Sequence, residues 1–190
     1  IGLEGALAGD TDLDLLVCPD SKFRFEKIIA KYNIKRTYQK LEYKNIVNFV
    51  GIDDSSAKMY HLHVHYQIVT GNRPLKNFML PYGEVILNEY TTSRNFVKVP
   101  TFNVEISLFI IRTLLKNRLG PGKIIRNFQG LPIFSLRTRD ELDFLIQNID
   151  EITLKKDTLK IFGSKLSILI LEFIDKYNKG NYHLSNFIKD

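Results

Sequence analysis

Two aspartates, Asp12 and Asp14, stand one residue apart in the otherwise apolar sequence GDTDLDLLV, residues 9–17. On a β-strand, residues i and i+2 project from one face about 6.6 to 6.8 Å apart, so both carboxylates would share a side. Two carboxylates at about 4 Å repel by about 1 kcal/mol in water and by about 4 kcal/mol near a protein surface. A divalent cation reverses that sign, so the pair predicts a Mg²⁺ or Mn²⁺ site. The alternative is that residues 10–12 form a polar turn and Asp14 is the exposed residue of an edge strand.

Three histidines alternate with other residues in the sequence HLHVHYQ, residues 61–67. On a strand, His61, His63 and His65 share one face. This pattern suits a metal site, an edge that binds phosphates or contacts bases, or the solvated polar face of a half-buried sheet. A histidine-only zinc hydrolase would also need a water-activating carboxylate, which the histidine spacing does not supply. The sequence leaves these possibilities open.

The elements that must position these side chains alternate between strand and helix in the first half of the chain. Apolar runs and alternating patterns predict strands, and a 3.6-residue apolar period predicts a helix. The pattern predicts a buried strand at residues 13–17, a helix at 21–34, and further strands at 35–41, 46–52 and 58–69.

The second half of the chain has the apolar period of helices. Thr101 is predicted as the N-cap of a long helix. A capping box of Thr138 and Glu141 predicts the start of a second helix, and residues 164–180 predict a third.

The change of period predicts a domain boundary near residue 100. A chain of 190 residues with 44% hydrophobic content can bury enough surface for one core or two small ones. We therefore expect an α+β lobe over residues 1–99, followed by a helical lobe over residues 100–190.

The charge of the chain limits the kinds of binding partner that we expect. The net charge of +6 favours an anionic partner such as a nucleotide, a phosphate or nucleic acid. Because the sequence contains no arginine–glycine run or basic arm, nucleic acid is the least expected of the three.

No apolar stretch is long enough to predict a membrane span, so we expect a soluble protein. The single cysteine, Cys18, predicts no intramolecular disulfide and fits a reducing cytoplasm. No signal-peptide pattern follows Ile1, and we expect a trimmed or incomplete start.

The sequence GDTDLDLLV resembles the signature of the nucleotidyltransferase superfamily, in which a Gly followed by Gly or Ser lies upstream of Asp-apolar-Asp on a strand. Residues 11–17 stand where that family commonly reads Ser-Asp-Ile-Asp-Leu and further apolar residues. The sequence HLHVHYQIVTG at 61–71, with LKNFMLP at 75–81 and Glu84, is similar to nucleotidyltransferase-like proteins encoded in bacterial polysaccharide gene clusters. Some members of that group continue into a thymidylate kinase-like domain.

The resemblance implies an α+β fold with a nucleotidyltransferase-like mixed sheet and flanking helices. It also implies that Asp12 and Asp14 are catalytic and hold Mg²⁺ or Mn²⁺. It implies transfer of a nucleoside monophosphate from a nucleoside triphosphate to a hydroxyl of a small, sugar-related molecule. The alternative is a catalytically degenerate nucleotide-binding or regulatory module.

The sequence departs from the family pattern in two places. The family's Gly with Gly or Ser should lie near or just before residue 1, but Gly2 is followed by Leu3, so the phosphate-binding element is degenerate or missing. The family's third carboxylate comes from a later strand, and the alignment places His63 there and His65 at the histidine that follows. A neutral imidazole in place of a carboxylate weakens Mg²⁺ binding and favours Mn²⁺ or Zn²⁺. The resemblance therefore implies a metal shell of Asp12, Asp14 and His63.

Further residues are candidates for binding the nucleotide or the acceptor. Arg112 and Lys116 lie four residues apart on the long predicted helix, and Arg73 and Lys76 follow the histidine strand. Each pair could bind an anionic substrate, although each is also explained as a pair of solvated surface cations. The full set of predicted substrate-binding residues is Thr11, His61, His65, Arg73, Lys76, Arg112 and Lys116.

Overall fold

The computed structural model describes residues 2–38, 43–71, 78–92, 97–118 and 134–180, without the side chains of residues 2, 3 and 116–118. Backbone contacts divide the chain into two compact units, Ile1–Leu87 and Asn88–Asp190. The first unit contains a mixed sheet with helices, and the second is mainly helical. The architecture is therefore α+β, with the division earlier in the chain than the change of apolar period near residue 100.

The first unit is built on a four-stranded sheet in the order β1-β4-β3-β2. Strand β1 is parallel to β4, whereas β3 is antiparallel to both β4 and β2. Helix α1 precedes β1, and helix α2 follows it after a short 3₁₀ turn. The elements are α1 Gly2–Leu7, β1 Leu13–Leu16, α2 Lys22–Ala30, β2 Lys35–Thr37, β3 Ile46–Ile52 and β4 Met59–His65.

One face of this sheet forms the core of the first unit. Because side chains alternate along a strand, Leu62 and Val64 of β4 point to the same face, where Val64 is fully buried. Phe49 of β3 packs beside them and meets Phe25 of α2 edge to face, with ring centroids 6.5 Å apart. Ile29, one turn further along α2, completes this contact. The alternation therefore leaves the opposite face to the histidines.

The strand predicted over residues 58–69 is two strands. Strand β4 ends at His65, and β5, Ile68–Thr70, pairs instead with β6, Phe78–Leu80, in a separate two-stranded sheet. His65 is paired with Ile46, the first residue of β3, and with Leu16, the last residue of β1. Both neighbouring strands end at these residues, so β4 has no strand to pair with beyond His65.

The described residues of the second unit form a hairpin and three long helices. Helix α3, Gly83–Asn88, leads into it from the first unit. Val104, Ile110, Leu142, Leu154 and Phe173 are almost completely buried in its core. The remaining elements are β7 Tyr90–Thr92, β8 Lys98–Pro100, α4 Phe102–Arg118, α5 Leu136–Gln147 and α6 Glu151–Asn178.

The helix starts differ in part from those predicted. The Thr101 cap is confirmed, because its hydroxyl accepts a hydrogen bond from the Val104 N–H at 3.4 Å. The Thr138 capping box is wrong: α5 begins earlier, with Ser135 as N-cap accepting from the Thr138 N–H at 3.2 Å. Helix α6 likewise begins well before residue 164, and Gly163 interrupts it with a φ of 77° that favours glycine.

The Phe49 side chain offers a test of the core of the first unit. We expect Phe49→Ala to lower the free energy of unfolding by about 3 to 5 kcal/mol, because it removes a buried ring and leaves a cavity. Phe23→Ala is the matched control, since Phe23 is 79% exposed and should change stability by less than about 0.5 kcal/mol. Urea unfolding followed by NMR signals of β4 amides measures both. Equal effects of the two substitutions would contradict this core.

Candidate functional site

The pairing of β1 with β4 brings the predicted aspartates and histidines together. In this parallel pair, Asp14 is the partner of His63, so the side chains of both residues leave the sheet on the same face. Asp12 precedes β1 by one residue and lies beside His61. The two sequence motifs, almost fifty residues apart, therefore form one group of side chains.

We call Asp12, Asp14, His61, His63 and His65 the Asp–His cluster. His61 Nδ1 and Asp12 Oδ1 are hydrogen bonded at 2.9 Å. Asp14 Oδ1 lies 3.4 Å from His63 Nδ1 and 3.6 Å from His65 Nε2. The imidazole rings follow one another along β4, with centroids 4.8 Å apart for the first pair and 6.3 Å apart for the second. Each carboxylate is thus in contact with at least one imidazole.

The cluster is half-buried at its histidines and open at its aspartates. The side chains of His63 and His65 are 19% exposed, whereas that of Asp14 is 73% exposed. Contact with the His65 imidazole lowers the pKa of Asp14 below its ordinary value of 3.8. Burial, the next largest effect, opposes this, and electrostatic attraction to His65 and His63 adds to the lowering. Asp14 is therefore ionised at neutral pH, and its carboxylate is accessible to a ligand.

Three members of the cluster have donor atoms close enough to hold one cation. One oxygen of Asp12 and one ring nitrogen each of His61 and His63 lie within 4.8 Å of one another. Ligand atoms at about 2.1 Å from a six-coordinate ion are separated by about 3 Å when adjacent. The 2.9 Å between Asp12 and His61 already matches this spacing, and His63 would have to move closer. Two imidazoles with one carboxylate are a donor set typical of Zn²⁺ and other transition metals.

Asn48 is a residue of this face that the sequence did not single out. It pairs with His63 across β3 and β4, so it shares the face of the cluster. Its residue is 8% exposed, and its side-chain oxygen Oδ1 is buried without a hydrogen-bond partner in the described part of the chain. A buried unpaired oxygen costs about 1 to 3 kcal/mol. The only sequence signal was a polar residue inside the apolar strand IVNFVGI.

The geometry groups the predicted site residues differently from their predicted roles. His61, predicted to bind substrate, lies in the candidate metal group with Asp12 and His63, whereas Asp14, predicted as a metal ligand, lies against His63 and His65. The sequence alone could not show this, because the register between β1 and β4 is a tertiary property.

The other predicted substrate residues are not among the contacts of the cluster that the described residues show. Thr11 is exposed in the turn between α1 and β1. Arg112 is exposed on α4 of the second unit. Lys116 belongs to α4, but its side chain lies outside the described part of the structure, as do Arg73 and Lys76 entirely. Their assignment to substrate binding stays a prediction.

Comparison with known proteins adds no relative. No protein-family model matches the sequence, and neither a curated protein nor a solved structure matches it. None of the described helices is both long and apolar enough to cross a membrane.

The contact between Asp14 and His65 predicts a pH dependence. Because the pKa of Asp14 is lowered in the folded chain, its contribution to stability is present above the unfolded value of about 3.9 and is lost as the pH falls through the folded pKa. We expect His65→Gln to raise the pKa of Asp14 towards its ordinary value. NMR titration of the side-chain carboxyl carbon measures this shift. An unchanged pKa in the variant would show that His65 does not stabilise the carboxylate.

Proposed function

We propose that the first unit is a nucleotidyltransferase-like enzyme that binds a divalent cation at the Asp–His cluster. The observation that carries the proposal is the meeting of the Asp12-Leu13-Asp14 motif with the histidine row on one open sheet face. These five polar side chains lie on the face opposite to the core, so core packing does not require them. A cation site does account for them.

The fold is consistent with this class in its local order. Helix α1 precedes the strand that carries the aspartates, and β4 lies directly beside that strand in the mixed sheet. The position of His63 opposite Asp14 is where a third carboxylate from a later strand would complete the metal shell of such an enzyme. This supports the replacement of the third acid by an imidazole that the resemblance implies.

The composition of the cluster favours a borderline cation over Mg²⁺. The site offers two carboxylates and three imidazoles, and Mg²⁺ prefers an octahedral shell of oxygen ligands. Imidazole nitrogen is a better ligand for Zn²⁺ than for Mn²⁺. Both Zn²⁺ and Mn²⁺, however, accept a mixed shell of nitrogen and oxygen ligands better than Mg²⁺ does. The bound cation would neutralise charge on the transferring phosphate.

The proposed reaction transfers a nucleoside monophosphate from a nucleoside triphosphate. The acceptor hydroxyl oxygen forms a bond to the α-phosphorus, the bond to the bridging oxygen breaks, and pyrophosphate leaves with that electron pair. Asp12 and Asp14 would hold the cation, the cation would bind the triphosphate, and one carboxylate of the pair would accept the hydroxyl proton. A small, sugar-related alcohol in the cytoplasm is the acceptor class that the sequence resemblance favours.

Metal affinity tests the cation site separately from catalysis. We expect isothermal titration calorimetry at pH 7 to give tighter binding of Mn²⁺ than of Mg²⁺, and Asp12→Asn to weaken Mn²⁺ by at least about tenfold. Asp10→Asn is the matched control, because Asp10 faces Lys58 at 3.4 Å and has no part in the cluster. Equal affinities for Mn²⁺ and Mg²⁺ would indicate that His63 is not a ligand of the cation.

Turnover tests the reaction itself. We expect the chain to release pyrophosphate from one of the nucleoside triphosphates in the presence of Mn²⁺ and a sugar alcohol, and Asp12→Asn to reduce the rate by at least about a hundredfold. Asp10→Asn should retain the rate. Release that persists in Asp12→Asn would contradict the proposed active site.

A different outcome of these experiments would assign the protein to another functional class. If the wild-type chain binds Mn²⁺ and a nucleoside triphosphate but releases no pyrophosphate with any acceptor tried, the cluster is a nucleotide-binding site without turnover. The regulatory or degenerate module is then the better description, and Asp12→Asn should still abolish nucleotide binding.

A further inference from the structure

One segment of the first unit is rich in basic residues. Residues 22–38 contain six Lys and Arg residues and one Glu, a net charge of +5. Helix α2 and edge strand β2 lie in this segment. Every lysine and arginine in it is exposed. The segment therefore presents six exposed basic side chains to solvent.

The same segment exposes aromatic rings. Phe23 and Tyr38 are each 79% exposed and Tyr32 is 69% exposed, and they are the exposed aromatic residues among the described residues of the first unit. The Arg36 guanidinium lies over the Tyr38 ring, 5.0 Å from its centroid. We call this the α2–β2 surface, which consists of Lys22, Phe23, Arg24, Lys27, Lys31, Tyr32, Arg36 and Tyr38.

The α2–β2 surface is separate from the Asp–His cluster. Phe25 and Ile29 attach α2 to the core face of the sheet, which is the face opposite to the histidines. Arg36 is paired with Phe49, so it projects to the α2 side as well. A ligand on this surface would therefore not compete with a cation at the cluster.

We propose that the α2–β2 surface binds single-stranded nucleic acid. Exposed cations would contact the phosphates, and rings that stand free of the core would stack on unpaired bases. A duplex offers no unstacked bases to such rings. An anionic membrane fits less well, because the apolar side of α2 is already used by the core and only Phe23 and Ile28 remain to enter a lipid layer.

Fluorescence anisotropy with a labelled uridine oligonucleotide of about 16 nucleotides tests the proposal. If about four phosphates are neutralised, we expect affinity to fall about fiftyfold between about 50 and 200 mM salt. A duplex of the same length should bind at least about tenfold more weakly, because its bases cannot stack on the exposed rings.

Matched variants separate this surface from general charge. We expect Lys27→Glu with Lys31→Glu to weaken binding by at least about tenfold, whereas Lys155→Glu with Lys156→Glu, exposed on α6, makes the same charge change with little effect. We expect Tyr38→Ala to weaken binding by about tenfold. Tyr90→Ala is its control, since Tyr90 also carries a cation over its ring, with Lys98 Nζ 4.2 Å from the centroid.

Several results would overturn the proposal. Equal losses in the α2 and α6 charge variants, or an unchanged affinity in Tyr38→Ala, would show only general electrostatic attraction. Equal binding of single strand and duplex would exclude base stacking. Tighter binding to phosphatidylserine vesicles than to the oligonucleotide, with loss in Phe23→Ala, would assign the surface to a membrane instead. All the substituted side chains are exposed, so we expect every variant to keep the fold. Circular dichroism checks this for each variant.

Discussion

The parallel pairing of β1 with β4 is the constraint on which the candidate site depends. It places Asp14 beside His63 and brings Asp12 close enough to His61 to form a hydrogen bond. Side chains alternate along a strand, so a slip of one residue in this register would turn the aspartates towards the core and Leu13 and Leu15 towards water. Burial of the leucines against α2 therefore fixes the register, and the register assembles the cluster.

Sequence reasoning predicted much of this arrangement because the signals are local. Alternation in β4 and the spacing of Asp12 and Asp14 identified which residues share a face, and the apolar period identified α2 and α4. It could not supply the strand order or the register, since both depend on contacts between distant residues. For the same reason it extended β4 past His65, where the neighbouring strands end, and it overlooked Asn48, whose significance comes from its position opposite His63.

The imidazoles change what the carboxylates can do. Two uncompensated carboxylates side by side would raise each other's pKa, but the contacts of Asp14 with His65 and His63 lower its pKa instead. The cluster is thus stable as a network of Asp–His contacts, and a cation would have to compete with these contacts. A metal that binds imidazole well loses less in that competition than Mg²⁺ does, which is the physical basis for expecting a borderline metal.

Asn48 connects the fold of this face with its chemistry. A side-chain amide on a strand otherwise composed of apolar residues and Gly51 is costly unless its oxygen finds a donor, and within the described residues it finds none. Replacing Asn48 by Val or Ile would suit the sheet better, since Ile46 and Val50 lie two residues away on the same face. The amide oxygen is therefore the polar atom of β3 that a hydrogen-bond donor of a ligand bound at the cluster would satisfy.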